Sequence, residues 1–355
     1  MTIPSRRDLL AAGLAAGAGL AWPHRARSAQ APKIKVGQIG VGHAHATKLE
    51  VYRRSSDYEV VGVVEPDASL RERAGQQPAY RDVTWLTEEQ LLNTPGLSAV
   101  LVETKVRDLL NTAERCIAAG MHIHLDKPAG DSLPQFRRLL AAAEKNKRLV
   151  QMGYMYRYSP AVILLRQMLR DRWLGDVFEI HTVMSKVVGP AERKQLAEFR
   201  GGIMFELGCH VIDSVVAILG KPERIHAFPR HSAAADDGLM DNMLAVFEYP
   251  SATASVKSAA LEVDGGARRH FVVCGSLGTF HIQPLDNPAV RLTLDRPRGE
   301  YKQGVQEITL PKFTRYVADA ADMAQVLRGE KEFGFSYAHD LAVQESVLRA
   351  SGVAT

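Results

Sequence analysis

Glu206, His210 and Asp213 stand four and then three residues apart in the run Gly201-Gly202-Ile203-Met204-Phe205-Glu206-Leu207-Gly208-Cys209-His210-Val211-Ile212-Asp213. On a helix this spacing puts the first acid and the imidazole one turn apart on a shared face, with the second acid a turn further on. An imidazole titrates near neutrality and suits general acid–base work. Far upstream, Lys127 sits in Asp126-Lys127-Pro128, directly after a short apolar run. A cation there can hold a reacting oxygen and stabilise an alkoxide; with a lowered pKa it could itself take a proton. Oxidation of a carbinol needs such a set, because the hydroxyl proton must leave. A third run, Tyr154-Met155-Tyr156-Arg157-Tyr158-Ser159-Pro160, can line a polyol pocket or pack at a domain joint. Tyr156, Arg157 and Asp213 are the candidate substrate contacts.

The same residues have plainer readings. Lys127 could be a solvated loop lysine. Glu206 could be an acid favoured by a helix dipole, and His210 an imidazole satisfied by Asp213. Cys209 falls off the shared face and is expected in the core. A metal centre on Glu206 and His210 lacks a third ligand. The three cysteines, Cys116, Cys209 and Cys274, are widely spaced and form no C-x-x-C pair. Neither a metal site nor a disulfide framework is therefore expected.

A partner for the electrons is written near the start of the chain. The stretch from Lys33 to His45, KIKVGQIGVGHAH, is a short apolar strand over 34–39 and a tight turn, Gly40-Val41-Gly42, leading into a helix. Gly40 can take a positive φ, and Gly42 removes a side chain that would block a pyrophosphate at the helix N-terminus. His45 replaces the third glycine of the fingerprint; it either crowds the helix against the sheet or reaches the phosphates or nicotinamide. Glu65 ends the next apolar strand about 20 residues on, where a carboxylate meets the adenosine ribose hydroxyls and repels a 2′-phosphate. The expected cofactor is NAD rather than NADP. Its candidate contacts are Gly40, Val41, Gly42, His43, His45, Glu65, Thr104, Asp126 and Lys127, all placed at the carboxyl ends of strands.

The elements that must position these groups alternate. Strands are expected at 58–64, 97–102, 121–125 and 148–152, with helices at 44–54, 68–75, 87–93, 106–119 and 133–146. This rhythm predicts a doubly wound parallel sheet over 32–153. Beyond it, a helix at 159–170, a strand at 177–186 and a helix at 202–219 precede strand-like runs at 224–231, 240–248, 252–258, 270–274 and 278–282. Residues 154–311 thus read as an α+β domain with an open, mostly antiparallel sheet. Two amphipathic helices, 313–328 and 336–349, close the chain within 312–355 and are expected to pack back on the core.

The chain has 355 residues and a net charge of +4 with scattered basic residues, so no nucleic-acid footprint is seen. Residues 1–31 read as a twin-arginine signal: Ser5-Arg6-Arg7-Asp8-Leu9-Leu10, an apolar run over 9–22, and Ala29-Gln30-Ala31 as cleavage site. The mature protein is expected outside the cytoplasm, in the periplasm or otherwise exported, with no membrane association.

In the order glycine turn (Gly40–His45), acid-Lys-Pro (Asp126–Pro128) and acid-x-Gly-x-His-x-x-Asp (Glu206–Asp213), the chain resembles the glucose–fructose oxidoreductase, inositol dehydrogenase and rhizopine-catabolism (Gfo/Idh/MocA) group. The resemblance covers nearly all of the mature chain. It implies a Rossmann domain followed by an α+β domain whose open sheet forms a dimer or tetramer interface. It assigns Lys127 to the reacting substrate oxygen and His210 to acid–base work. Glu206 stands where the group has aspartate, Asp126 where it has glutamate, Asp108 where a histidine is common, and Glu103-Thr104-Lys105 where Thr-Pro is more usual. The implied activity is an NAD-dependent oxidoreductase on a sugar or polyol CH–OH. An exported enzyme lacks free NAD, so the cofactor is expected to be tightly retained. Two alternatives stand beside it. One is a redox-neutral glycoside lyase, hydrolase or epimerase working through a transient keto-sugar; the other is a non-catalytic sugar-binding relative, which the presence of Lys127 and His210 disfavours.

Overall fold

Short, continuously apolar runs become central strands when helices cover both faces of a parallel sheet. In the computed structural model, which describes residues 32–354, five such runs form β1 (Ile34–Ile39), β2 (Tyr58–Val64), β3 (Leu97–Val102), β4 (His122–Leu125) and β5 (Val150–Met152). Their order is β2-β1-β3-β4-β5 and every pairing is parallel. The reversal of order at β1 and β3 opens a crevice at their carboxyl ends, the place where ligands bind in open α/β sheets. Helix Val106–Ala118 buries Leu109, Leu110, Ala113, Cys116 and Ile117, and Leu133–Lys145 buries Phe136, Leu139, Leu140 and Ala143. The second of these is started by Ser132, whose hydroxyl accepts the Gln135 N–H, with Pro134 in the first turn. The expected signal segment, 1–31, lies outside the described residues.

Eight strands make the second sheet: β6 (Val177–Val183), β7 (Arg224–Arg230), β8 (Asn242–Glu248), β9 (Thr253–Ala259), β10 (His270–Gly275), β11 (Gly278–Ile282), β12 (Val290–Leu294) and β13 (Gly304–Ile308). The order is β13-β12-β11-β10-β6-β9-β8-β7, antiparallel except for β6 beside β9. The α+β reading therefore holds, with two strands more than the sequence suggested. β12 and β13 are five residues each and lie among charged and proline-containing loops, too short for alternation to stand out. On one face, Met243, Ala245, Phe247 and Val256 are buried beneath helices Cys209–Leu219 and Tyr337–Ala350. On the other, Phe228 and Leu244, register partners across β7 and β8, are exposed.

From Lys33 onward the chain is one compact unit. A single apolar cluster runs from Ile39 and Val102 in the first sheet to Phe247 and Phe280 in the second. Helix Val317–Leu327 returns to the first half, where Ala320, Met323 and Ala324 join Tyr52 and Tyr58, and the Tyr58 hydroxyl donates to the Ala320 carbonyl at 2.6 Å.

Two local departures matter for the site. The helix expected at 44–54 begins as a 3₁₀ turn, Ala46–Lys48, and only then becomes Leu49–Arg54. The His43 N–H donates to the Glu103 carbonyl at 3.0 Å and holds the entering chain out of the helix. The helix expected at 202–219 opens with a π turn, Met204–Gly208, before Cys209–Leu219. Such wide turns are rare and gather at functional sites; this one carries Glu206.

Candidate active site

The glycine turn is built as the spacing demands. Gly40 has φ +90°, and a Cβ there would lie 2.5 Å from Thr104 N. A Cβ on Gly42 would come within 3.1 Å of the Lys105 side chain. The turn borders a cleft of about 600 Å³ whose walls include Gly40, Gly42, Glu65, Asp67, Thr104 and Lys105. The Thr104 hydroxyl is buried with no hydrogen-bond partner. A missing Cβ at the turn and an unsatisfied hydroxyl in the wall both fit a dinucleotide. Glu65, expected to face a ribose, also holds the turn: its two carboxylate oxygens accept the Val41 and Asp67 N–H groups, each at 3.0 Å. It pins the turn and retains lone pairs for ligand hydroxyls. Val41 thus contributes through its backbone.

At the far end of β4, Lys127 is fully buried, and its ammonium donates to the Glu206 carbonyl at 2.8 Å. The Glu206 carboxylate lies 3.5 Å from Lys127 Nζ and 3.6 Å from Lys186 Nζ. Burial resists the charge on Glu206, but these two cations bring its pKa down to about 2. Burial also works against the Lys127 ammonium. The Glu206 and Asp126 carboxylates outweigh it and raise the Lys127 pKa. Lys127 is therefore a held cation, and the idea that a lowered pKa makes it a base is set aside. Cys209, expected away from this face, lies beside Lys127 and donates to the Glu206 carbonyl at 3.2 Å.

His210 is buried with its ring 5.4 Å from that of Tyr156 and 5.7 Å from that of His45, centroid to centroid. Burial, then the Lys127 charge, hold its pKa well below the imidazole range, so it is neutral at pH 7. Its Nδ1 has no partner. Asp213 does not supply one. Arg157 reaches Asp213 Oδ1 at 2.6 Å and Asp340 Oδ1 at 2.6 Å, and His339 Nε2 is 3.2 Å from Asp213. The Arg157 guanidinium also stacks 4.1 Å from the Phe335 ring centroid. Arg157 and Asp213, expected to touch substrate, are thus committed to a buried ion network, and both are at most 3 % exposed. Tyr156 stays beside His210 and donates to Asp286, which Arg269 and Arg315 also hold.

Asp126 is the hub on the other side. Its Oδ1 accepts the Lys127 N–H at 2.7 Å and lies 3.1 Å from His45 Nδ1. Its Oδ2 accepts from Lys48 at 2.8 Å and lies 3.0 Å from His43 Nδ1. His43 Nε2 meets the Lys127 carbonyl at 3.1 Å. Lys48 also reaches Glu103 at 3.0 Å and His124 Nε2 at 2.9 Å. Burial and the neighbouring Asp126 push the Glu103 carboxyl well above its ordinary range. His43, His45 and Asp126 offer three ligand atoms within 4.8 Å of one another, a grouping the sequence reading did not find. The Lys48 ammonium already supplies the positive charge that a metal would bring. His43, His45 and Asp126, expected against the cofactor, also meet one another, both imidazoles lying against the Asp126 carboxylate. Lys48, Glu103 and His124 went unassigned. One signal was available: His124 and Asp126 are two apart, which places them on one face of an extended strand.

A glycine turn at the crevice of a doubly wound sheet, with a buried cation after the neighbouring β4 and an imidazole beside it, fits a dinucleotide-binding oxidoreductase. The comparisons agree. Residues 34–154 match the oxidoreductase family with NAD-binding Rossmann fold, and residues 162–281 match the GFO/IDH/MocA C-terminal domain. The chain belongs to the Gfo/Idh/MocA family of NAD-binding oxidoreductases. It is 26 % identical over 199 residues to trans-1,2-dihydrobenzene-1,2-diol dehydrogenase of Sus scrofa, a match spanning 55 % of this chain and 58 % of that protein. It is 25 % identical over 259 residues to inositol 2-dehydrogenase 2 of Paenarthrobacter aurescens, covering 70 % and 75 %. The fold superposes on aldose-aldose oxidoreductase from Caulobacter crescentus with a TM-score of 0.75 at 20 % identity, over 90 % and 98 % of the two chains.

Proposed function

We propose that the protein oxidises a CH–OH carbon of a sugar or polyol, or reduces the corresponding carbonyl, with NAD kept bound between turnovers. One observation carries this. Lys127 from the end of β4, and Glu206 and His210 from the second half, meet in one buried cluster, and Glu206 lines the pocket that Gly42 and His43 also line. When bound, the nicotinamide supplies the two-electron chemistry. Gly40, Gly42, Thr104 and Glu65 would hold the dinucleotide, with Glu65 favouring NAD over NADP. Lys127 would bind the substrate oxygen and stabilise its negative charge, while Glu206 keeps that lysine charged. An imidazole of the same cluster, His210 or its neighbour His45, would exchange the hydroxyl proton. The relatives that carry polyol or aldose names support this substrate class. The twin-arginine pattern supports export to the periplasm and retention of the cofactor.

Paired imidazoles, His45 and His210, favour one second reading, a redox-neutral lyase, hydrolase or epimerase. Such a reaction moves two protons, one from a hydroxyl and one from the C–H beside a transient ketone. To test both, the full chain is purified without added nucleotide and denatured, and the released dinucleotide is identified. The intact protein is then mixed with sugars, polyols and glycosides while nicotinamide absorbance is followed. NAD released on denaturation, with absorbance responding to a polyol or sugar, is expected. Glycoside turnover without net change in absorbance favours the second reading. Neither released nucleotide nor binding of added NAD contradicts both.

The open sheet face with exposed Phe228 and Leu244 supports assembly of two or more copies. Light scattering of the purified chain is expected to give a mass above that of one chain; a monomer contradicts it.

A further inference from the structure

His45 occupies the fingerprint position where a small residue lets the helix close on the sheet. Its ring instead turns to the cluster that holds His210 and Asp126. It lies 5.7 Å from the His210 ring and 5.8 Å from the Tyr316 ring, with Nδ1 3.1 Å from Asp126 Oδ1. Asp126 cannot swing away, because Lys127 N–H and Lys48 Nζ hold its two oxygens at 2.7 and 2.8 Å. An ionised carboxylate only accepts, so the His45 proton sits on Nδ1 and the lone pair on Nε2. His210 has nothing comparable. Its Nδ1 is unpartnered, the acid three residues on is taken by Arg157 and His339, and Lys127 is the strongest charge acting on it. Of the two neighbouring imidazoles, His45 has an anion behind it.

We propose that Asp126 and His45 form the acid–base dyad of this site, and that the proton leaving the substrate hydroxyl ends on His45 Nε2. This rests on the proposed function. The O–H bond breaks and an Nε2–H bond forms. The electron pair stays on the oxygen, where Lys127 stabilises it until the carbonyl is made. His45 passes from neutral to cationic, and Asp126 stabilises the imidazolium through Nδ1–H. The His45 side chain, 14 % exposed, then returns the proton to solvent. In the reverse direction the same dyad donates.

The groups facing His45 come from four parts of the chain: Asp126 and Lys127 after β4, His43 in the glycine turn, His210 and Glu206 from the second half, and Tyr316 before helix Val317–Leu327. Burial outweighs the pull of Asp126 and, with Lys127 and His43, sets the His45 pKa at about 4. The ring is thus neutral and able to accept at pH 7.

The test uses the full chain labelled with ¹⁵N at its 12 histidines. The ring signals lost in His45→Gln assign His45. They are expected to show the Nδ1–H tautomer, neutral from pH 7 down to about 5.5, and to lose that preference in Asp126→Asn. With NAD added, His45→Gln is expected to bind the dinucleotide as before and to turn over about 10²-fold more slowly or worse. Added imidazole should partly restore His45→Gly. An Nε2–H tautomer, or an imidazolium at neutral pH, overturns the proposal. So does turnover of His45→Gln within about threefold of the parent, or loss of NAD binding in a folded variant, which would make His45 a cofactor contact. If no CH–OH compound is turned over at all, the proposed function fails, and the tautomer result still reports on the dyad separately.

Discussion

Replacing Lys127 by alanine is expected to lower turnover of the NAD-loaded protein by about 10²–10³-fold while leaving the dinucleotide bound. The size is that of removing one preorganised donor from a site where negative charge develops in a buried setting. The Lys127 ammonium is fully buried, and its hydrogen bond goes to the Glu206 carbonyl rather than to the glycine turn. The loss should therefore fall on the reacting oxygen and spare the cofactor. Removing a buried cation also strands a carboxylate: Glu206 would keep only Lys186, at 3.6 Å. Lys127→Met preserves more of the volume and separates the charge from the packing; both variants should be slow. Dinucleotide titration and turnover of the folded variants check this. Turnover within a few-fold of the parent contradicts the role of Lys127. Lost NAD binding in a folded variant would place the lysine at the cofactor instead.

A second large effect is expected on stability. Arg157→Ala should destabilise the fold by about 3–5 kcal/mol, the range for removing one partner of a buried ion pair. Arg157 is bonded to both Asp213 and Asp340, and its guanidinium lies between the Tyr154 and Phe335 rings at 5.0 and 4.1 Å. Without it, two buried carboxylates on helices Cys209–Leu219 and Tyr337–Ala350 lose their shared cation. Arg157→Lys restores a charge but not the fork that serves two carboxylates, so it should recover only part of the loss. Urea denaturation of the full chain reads the difference. A stable Arg157→Ala with poor turnover would instead return Arg157 to the substrate pocket.

The fold was legible because its signals are local. Apolar runs of five to seven residues between glycine and proline punctuation fix β1, β2 and β3, and the glycines at 40 and 42 mark the turn. The position of Lys127 at the carboxyl end of β4 was legible from the apolar run before it. The roles of Arg157 and Asp213 were not. Their third member, Asp340, is 183 residues from Arg157 along the chain, and no spacing rule links the two. An arginine among tyrosines looks the same in sequence whether it awaits a sugar or an acid. His45 shows the opposite case. Its departure from the glycine fingerprint was visible, but its purpose depends on Asp126, 81 residues away, and on how the late-starting helix aims the ring. Glu103 and Lys48 are a further lesson. Charged residues near apolar strands are most often at the surface; here Lys48 is buried against the Asp126 carboxylate, and the Glu103 carboxyl beside them is pushed toward its neutral form.

In the proposed reaction a carbinol hydrogen leaves a sugar or polyol for the bound dinucleotide, with Lys127 on the reacting oxygen. The most direct measurement exposes the NAD-loaded protein to a polyol deuterated at its carbinol carbons, denatures it, and determines the mass of the released dinucleotide. One deuterium atom in that dinucleotide is the expected result, absent when Lys127→Ala is treated in the same way. Consumption of the polyol with an unlabelled dinucleotide would contradict the account.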